Sequence, residues 1–343
     1  MKRVFIKTFA YGRRNGDDMA ALKRAGDGIV HGVDIPSHNQ VDEYEFDAMT
    51  YIKNVVPDVV KHKGRVMRYQ ERYQNKVEYV KSVTKLLRGY VEKGHEVVFG
   101  ITPDHEYFLV DALFNSDAEY LDEVKLISPT PQTYRIFEDK RYLYAIAQTI
   151  GINKFFFPIH TNSLPAWVKN ASKIGTAGFE IDNKADLDYY RTHPKFIVQP
   201  IIPNLYMADV HFSPDGEFIG MYCFEAIDKD PFTLQSIMDR KEMGWITEQI
   251  FEVLSKIQWQ YNLTYTHPIS LDFTLLNSSK TIQTLDINPR INGITSMLGA
   301  ITGKNYYSLL YGTGKYDHGE NLGDDIFLRA DYKVTKRIIC GGT

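Results

Sequence analysis

The sequence predicts an α/β domain followed by an α+β domain rich in antiparallel sheet, and three observations carry that reading. Short apolar runs holding β-branched or aromatic residues, bounded by Gly, Pro, Asp or Asn, interleave with a helical period over residues 1–127. Two prolines in Ser128-Pro129-Thr130-Pro131 then disfavour helix and central strand and favour an extended connector. Beyond it lie mostly strands, the last two joined by a turn short enough for a hairpin. The chain divides into 1–127, 128–312 and 313–343, the last as a tail packing back on the core.

In the first part, strands are expected at Val4–Phe9, Ile29–Ile35, Glu96–Ile101, Tyr107–Leu113 and Val124–Ile127. Val77, Val80, Thr84, Leu87 and Val91 recur at spacings of three and four, which predicts a helix that Gly94 ends. After the connector comes one helix from Pro131 to Ile150, with Gly151 as its C-cap. Strands follow at Phe155–Ile159, Trp167–Lys169, Phe179–Ile181, Phe196–Gln199, Ala208–Phe212 and Phe218–Phe224. A helix over Ile246–Tyr261 aligns Ile246, Ile250, Val253, Ile257 and Tyr261 on one face. The strands Ile269–Leu275 and Thr281–Ile287 flank the polar turn Asn277-Ser278-Ser279-Lys280 and form an antiparallel hairpin.

Composition narrows the function. The net charge of −3 argues against a nucleic-acid binder working by bulk charge. Cys223 and Cys340 lie far apart and make neither a disulfide framework nor a zinc site, as befits thiols in a reducing compartment. The opening MKRVFIKTFAYGRRNGDD has its apolar stretch broken by Lys7 and reads as a first strand rather than a signal peptide. No run of roughly 20 apolar residues exists to span a membrane, so a cytoplasmic protein is expected. His31, His38, His160, His211 and His267 have no metal-ligand spacing and are expected to be structural or superficial. Gly12-Arg13-Arg14-Asn15-Gly16 is either a solvated turn or a flexible, charged cradle for an anionic substrate.

The hairpin holds the sharpest chemistry. Asp272 sits on its first strand, with Asp286 and Asn288 two residues apart on its second and so on one face. If Leu275 pairs with Ile282, Asp272 and Asp286 come close to cross-strand partners. Facing carboxylates repel unless a cation lies between them, and magnesium takes oxygen ligands of this kind together with phosphate oxygens. The alternation Leu285-in, Asp286-out, Ile287-in, Asn288-out also fits a plain solvated face. Pro289 ends the strand, Arg290 projects from the turn, and Gly293 would allow close backbone approach.

Leu285-Asp286-Ile287-Asn288-Pro289-Arg290 resembles the closing signature of the ATP-grasp superfamily, and other motifs follow that family's order over about residues 128–310. Asp139-Lys140 is similar to the segment bearing the nucleotide-binding lysine, and Gly151 to Pro158 to the helix-to-strand turn. Pro165-Ala166-Trp167-Val168-Lys169 is similar to the strand bearing the second lysine. Gly175-Thr176-Ala177-Gly178 stands where the glycine-rich phosphate loop belongs, Phe196–Ile202 resembles the hinge strand at the adenine edge, and Thr302-Gly303-Lys304-Asn305 resembles the turn opening the closing helix. The chain departs from the pattern at Asp286, where the family most often has Glu, and near Tyr206 and Asp209, where no acid clearly matches the ribose-binding glutamate. It departs again over Cys223–Ile237, where Lys229 is the lone cation before Ile237.

The resemblance implies an N-terminal α/β domain of the pre-ATP-grasp kind, an ATP-grasp domain with antiparallel sheets, and an ATP- and Mg2+-dependent ligase (Mn2+ being an alternative metal). It would join a small-molecule or peptide carboxylate to an amine or other nucleophile through an acyl phosphate. Lys140, Lys169, Gly175, Thr176, Ala177 and Gly178 would bind the phosphates; Gln199 and Ile201 would meet the base; Asp272, Asp286 and Asn288 would hold metal; Arg290 would be catalytic. Such enzymes are often homodimers. The alternatives are a phosphotransferase without ligation and a non-catalytic nucleotide-binding regulatory subunit.

Overall fold

The computed structural model describes residues 2–8, 28–34, 47–51, 55–62, 65–73, 75–101, 103–172, 178–202, 204–226, 234–237, 240–276, 279–290, 326–330 and 333–337. Strands β1 (Arg3–Thr8), β2 (Ile29–Asp34) and β3 (Ala48–Tyr51) pair in parallel, and β4 (Val55–His62) and β5 (Arg65–Tyr73) form a separate hairpin. Helix α1 (Lys76–Val91), β6 (Glu96–Gly100), helix α2 (Pro103–Phe114) and β7 (Val124–Ile127) complete a five-stranded sheet of order β3-β2-β1-β6-β7. Val4, Ile6, Val97 and Phe99 pack under α1 and α2.

Two expectations change in this part. Helix α1 buries Leu87 and Val91 of the predicted stripe, but earlier in the helix it buries Tyr79 and Val83 in place of Val77, Val80 and Thr84, and Val77 is 65% exposed. The helix turns this way because Tyr79 has a polar partner inside: its hydroxyl donates to Glu106. Tyr107–Leu113 lies in helix α2, not a strand. A continuous apolar run fits either state by periodicity alone, and Pro103 at the helix start supports the helix. Leu109, Val110 and Leu113 then face the sheet. Glu106 sits at a kink in α2 (φ −118°, ψ 25°), wholly buried, where its carboxylate also accepts from the Thr8 hydroxyl. That pair of hydroxyl donors ties the kink to β1 and α1 and satisfies an acid that burial would otherwise penalise.

The predicted helix from Pro131 to Ile150 is two helices, α3 (Pro131–Glu138) and α4 (Lys140–Thr149), parted by Asp139 in an extended conformation (φ −102°, ψ 114°). Gly151 follows with φ 72°, a conformation that favours glycine. The predicted strand Phe155–Ile159 is instead a 3-10 turn at Asn153–Phe155 and an extended segment with isolated bridges Phe156–Thr284 and His160–Val198. That segment links two sheets. The smaller contains β8 (Ala166–Asn170), β9 (Phe179–Ile181) and β10 (Phe196–Pro200) in order β10-β8-β9, with helix α5 (Lys184–Thr192) packed on Ala166, Val168, Phe196 and Val198. The larger collects β11 (Tyr206–Phe212), β12 (Phe218–Ala226), β13 (Leu234–Ile237), then, after helix α6 (Arg240–Tyr261), β14 (Ile269–Leu276), β15 (Thr281–Asn288), β16 (Ile326–Ala330) and β17 (Lys333–Arg337). Its order is β15-β14-β11-β12-β13-β16-β17. One face carries Ala208, Val210, Leu271, Phe273 and Ile287 against Ile246, Ile250, Val253 and Ile257 of α6 and Phe137, Leu143 and Ile146 of α3 and α4. Each such isoleucine contributes about 2 kcal/mol of burial.

Two buried histidines tie this fold to pH. Among the described residues His267 has no hydrogen-bond partner at either ring nitrogen, and burial pushes its pKa down to about 3. His31, held between the Tyr90 hydroxyl and the Thr50 hydroxyl at 2.8 Å each, is pushed by burial to about 4. An unfolded histidine titrates near 6.5, so on acidification the unfolded chain takes up protons that the native state refuses. Stability contributed by the neutral rings is therefore complete above pH 6.5 and lost as pH falls below it, by about 2 kcal/mol per ring at pH 5. Urea midpoints should drop between pH 7 and pH 5, and His267→Leu should flatten that slope. An unaltered slope in the variant would remove His267 from the account.

Candidate active site

A β-bulge builds the centre of the site. Leu275 pairs with Ile282 and Phe273 with Thr284, but Asp272 pairs with Asp286 and Ser270 with Asn288, so Leu285 is an extra residue on β15. A bulge shifts the alternation of side chains by one. Without it, the parity that turns Ile282 to the core would turn Asp286 there too. With it, Asp272, Asp286, Asn288 and Ser270 share the face of the large sheet opposite its apolar core. Asp286 and Asn288 are only 7% and 4% exposed, so this is no solvated face.

The small sheet supplies the facing wall. Lys169 on β8 lies opposite Ile197 on β10, and Trp167 opposite Gln199, so these four share one face while Val168 and Val198 pack on α5. Asp139 joins that wall to α4. Its Oδ1 accepts from the backbone N–H of Arg141 (2.8 Å) and Tyr142 (3.3 Å), capping the helix, and the Lys140 N–H donates to the Ala171 carbonyl (2.9 Å) just beyond β8. Lys140 thereby starts its helix beside the strand of Lys169, and its Nζ reaches Asp286 Oδ2 at 2.9 Å, with both side chains buried. On the other side the Phe157 N–H donates to the Thr284 carbonyl (2.9 Å) and the Val198 N–H to the Ile159 carbonyl (3.2 Å), stitching the two sheets together.

The electrostatics follow from this crowding. Burial and the neighbouring Asp286 raise the Asp272 pKa to about 6, although Lys169, Arg290 and Lys140 pull the other way. Asp272 still keeps partial exposure, as does Lys169. Desolvation lowers the Lys169 pKa, with Asp286 and Asp272 opposing that shift and Lys140 adding to it. Asp286 Oδ1 and Asn288 Oδ1 are buried oxygens with no hydrogen-bond donor among the described residues. Hard oxygen acceptors left undonated beside a second carboxylate fit a divalent cation of the magnesium kind. Among the described residues no three His, Cys, Asp or Glu form a metal-holding group. Two carboxylates and one amide would thus leave coordination positions for phosphate oxygens.

Of the residues expected from sequence, the structure brings together Lys140, Lys169, Asp272, Asp286 and Asn288, with Arg290 near enough to act on Asp272. Gln199 is 2% exposed with its Nε2 unpartnered, and Ile201, 42% exposed, lies just past β10. Gly175, Thr176 and Ala177 lie outside the described residues, as do the Gly12–Gly16 segment, His38, Lys229, Gly293, Thr302–Asn305 and Cys340. Tyr206 turns into the core, stacked on Phe273 at 5.7 Å, whereas Asp209 lies on the functional face in the row of Ser270 and Asn288. His211, expected from sequence to be structural or superficial, is wholly buried with its Nε2 3.4 Å from Asp209 Oδ2 on the functional face. The spacing of Met207, Asp209 and His211 at every second position on β11 was the available signal for that placement.

Sequence reasoning passed over the contact of Trp167 with Gly178. A Cβ at Gly178 would stand 2.0 Å from the Trp167 indole nitrogen and 2.9 Å from the Val168 carbonyl. Gly178→Ala must therefore displace the indole on the wall that bears Lys169, at a cost of about 1–3 kcal/mol. We expect a lowered melting temperature and a shifted tryptophan emission, with Trp167→Ala in the same chain restoring much of the stability. Additive losses in the double variant would deny the contact.

No family model matches the chain, and no curated protein matches it in sequence. Solved structures match it in fold. The N5-carboxyaminoimidazole synthetase of Staphylococcus aureus superposes with a TM-score of 0.61 at 12% identity, covering 96% of this chain and 83% of that one. The L-amino acid ligase of Bacillus licheniformis gives 0.58 at 12% identity over 95% of this chain and 79% of that one. An Archaeoglobus fulgidus structure described as a putative ATP-grasp superfamily protein gives 0.57 at 11% identity over 96% and 92%. The chain spans 28% of the length of the similar pyruvate carboxylase of Rhizobium etli.

Proposed function

We propose, from the premise that this chain has the ATP-grasp fold, that it is an ATP- and Mg2+-dependent ligase joining a carboxylate to an amine or other nucleophile. The observation that carries the reading is the meeting of Asp272, Asp286 and Asn288 with Lys140 and Lys169 between two sheets. Proteins of similar fold include a synthetase and an L-amino acid ligase, which supports the reaction class.

In this reading Lys140 and Lys169 hold the α- and β-phosphates as compact positive charges. Asp272, Asp286 and Asn288 hold Mg2+ or Mn2+, which when bound neutralises charge on the phosphates. Gln199 and Ile201 meet the base, and Gly175–Gly178 cover the phosphates. Arg290 is the catalytic cation, holding a phosphoryl oxygen or the substrate carboxylate. A carboxylate oxygen attacks the γ-phosphorus, the bond to the β–γ bridging oxygen breaks, and ADP leaves an acyl phosphate. An amine then attacks the acyl carbon, phosphate departs, and the nitrogen gives its proton to solvent. The protein's part is to position the reactants, neutralise charge and exclude water. The segment 1–127 would shape the acceptor site, and a homodimer in the cytoplasm is the proposed state.

The test is an ADP-release screen over amino acids, small peptides and nucleotide-linked acids, each with and without an amine, with products identified by mass. A ligase liberates phosphate with its second substrate. Phosphate retained on the product would make the protein a phosphotransferase, and ATP binding without turnover on any pool would leave it a regulatory subunit.

A further inference from the structure

We propose that Lys140 is an internal counter-cation that occupies the carboxylate end of the site, so that a divalent cation enters only together with nucleotide phosphates. This rests on the reading of Asp272, Asp286 and Asn288 as the metal-holding residues and adds an order of binding to it.

The contact that carries the inference is the 2.9 Å ion pair between Lys140 Nζ and Asp286 Oδ2, with side-chain exposures of 4% and 9%. A pair so enclosed is not exchanged for water without cost. The ammonium therefore sits on one of the oxygens that a metal would need, while Asp286 Oδ1 and Asn288 Oδ1 stay without donors among the described residues. The backbone keeps Lys140 in this place. Its N–H is bound to the Ala171 carbonyl, and Asp139 caps its helix.

Charge gives a second, independent reason. Among the described residues, Lys140, Lys169 and Arg290 gather around Asp272 and Asp286, and the charge of each acts on Asp272. Three cations gathered at one end of the site oppose the entry of a bare divalent cation and attract a polyanion. A triphosphate reverses the balance. Its oxygens offer Lys140 Nζ new partners, the ammonium leaves Asp286 Oδ2, and the vacated oxygen becomes available to the metal that the phosphates bring.

Protein-bound Mn2+ measured by electron paramagnetic resonance at pH 8, with and without ADP, tests this on the wild-type chain, Lys140→Met and Lys140→Gln, with melting curves to confirm folding. Wild type should bind Mn2+ at least about 100-fold more weakly without ADP than with it, and either lysine variant should tighten nucleotide-free binding by at least about tenfold. Equal wild-type affinities with and without ADP overturn the proposal even if neither variant folds. Variants no tighter than wild type overturn it as well. The metal assignment fails separately: Asn288→Ala binding Mn2+ with ADP as tightly as wild type would displace the metal from this hairpin, whatever Lys140 does.

Discussion

Asp286→Ala and Asn288→Ala should each lower metal-dependent ATP turnover by at least about 100-fold, since a misplaced divalent cation forfeits several kcal/mol of charge stabilisation. Their effects on stability should differ, and that difference separates function from folding. Asn288 is neutral, and its Oδ1 has no donor among the described residues, so its loss frees no buried charge. Asp286 is the partner of a buried lysine. Removing it leaves the buried Lys140 ammonium without its 2.9 Å carboxylate partner, and breaking a buried pair from one side costs about 3–5 kcal/mol. We expect the Asn288→Ala melt to stay near wild type and the Asp286→Ala melt to fall clearly. Paired kinetics and melting curves check both. Full turnover in Asn288→Ala, with a normal melt, would exclude that side chain from the metal site.

The hairpin that makes this prediction possible was largely readable from the chain. Pairing Leu275 with Ile282 follows from the polar turn, and it brings Asp272 to within one residue of Asp286. What completes the match is the bulge at Leu285. The switch of apolar parity from Ile282 to Leu285 and Ile287 hints at it, but only the neighbouring strand fixes where the extra residue goes. The break at Asp139 was hidden for another reason. Apolar residues continue inward on both sides of it, with Phe137 before and Leu143 and Ile146 after, so periodicity alone reads one helix. Asp is a good N-cap, and that was the cue for a restart. Helix α5 was missed because its nine residues bury only Leu187 and Tyr190, too few to show a period. The contact of Trp167 with Gly178 has no sequence signal at all, since it depends on how β8 packs against the residues leading into β9.

Lys169→Met should weaken ATP binding by about tenfold to 100-fold, the loss of charge-assisted contacts to phosphate, and yet leave the protein slightly more stable. Lys169 is a desolvated ammonium on a wall it shares with Trp167, Ile197 and Gln199, and burial depresses its pKa. Asp286 and Asp272 support its charge, but Lys140, already paired with Asp286, opposes it. The free site therefore holds a cation that the phosphates need and the fold does not. Methionine keeps most of the stem and removes a charge that desolvation and Lys140 both oppose. Groups poised for a ligand commonly cost stability in its absence. A gain of about 1 kcal/mol, or roughly 2 °C in Tm, is expected. Lys140→Met should move the melt the other way, because Asp286 loses its direct partner. Melting curves and ATP titrations at pH 8 on the two variants decide the matter. A destabilised Lys169→Met that binds ATP normally would make this lysine a structural ion-pair partner of Asp286 and Asp272, and would take the phosphate-binding role from β8.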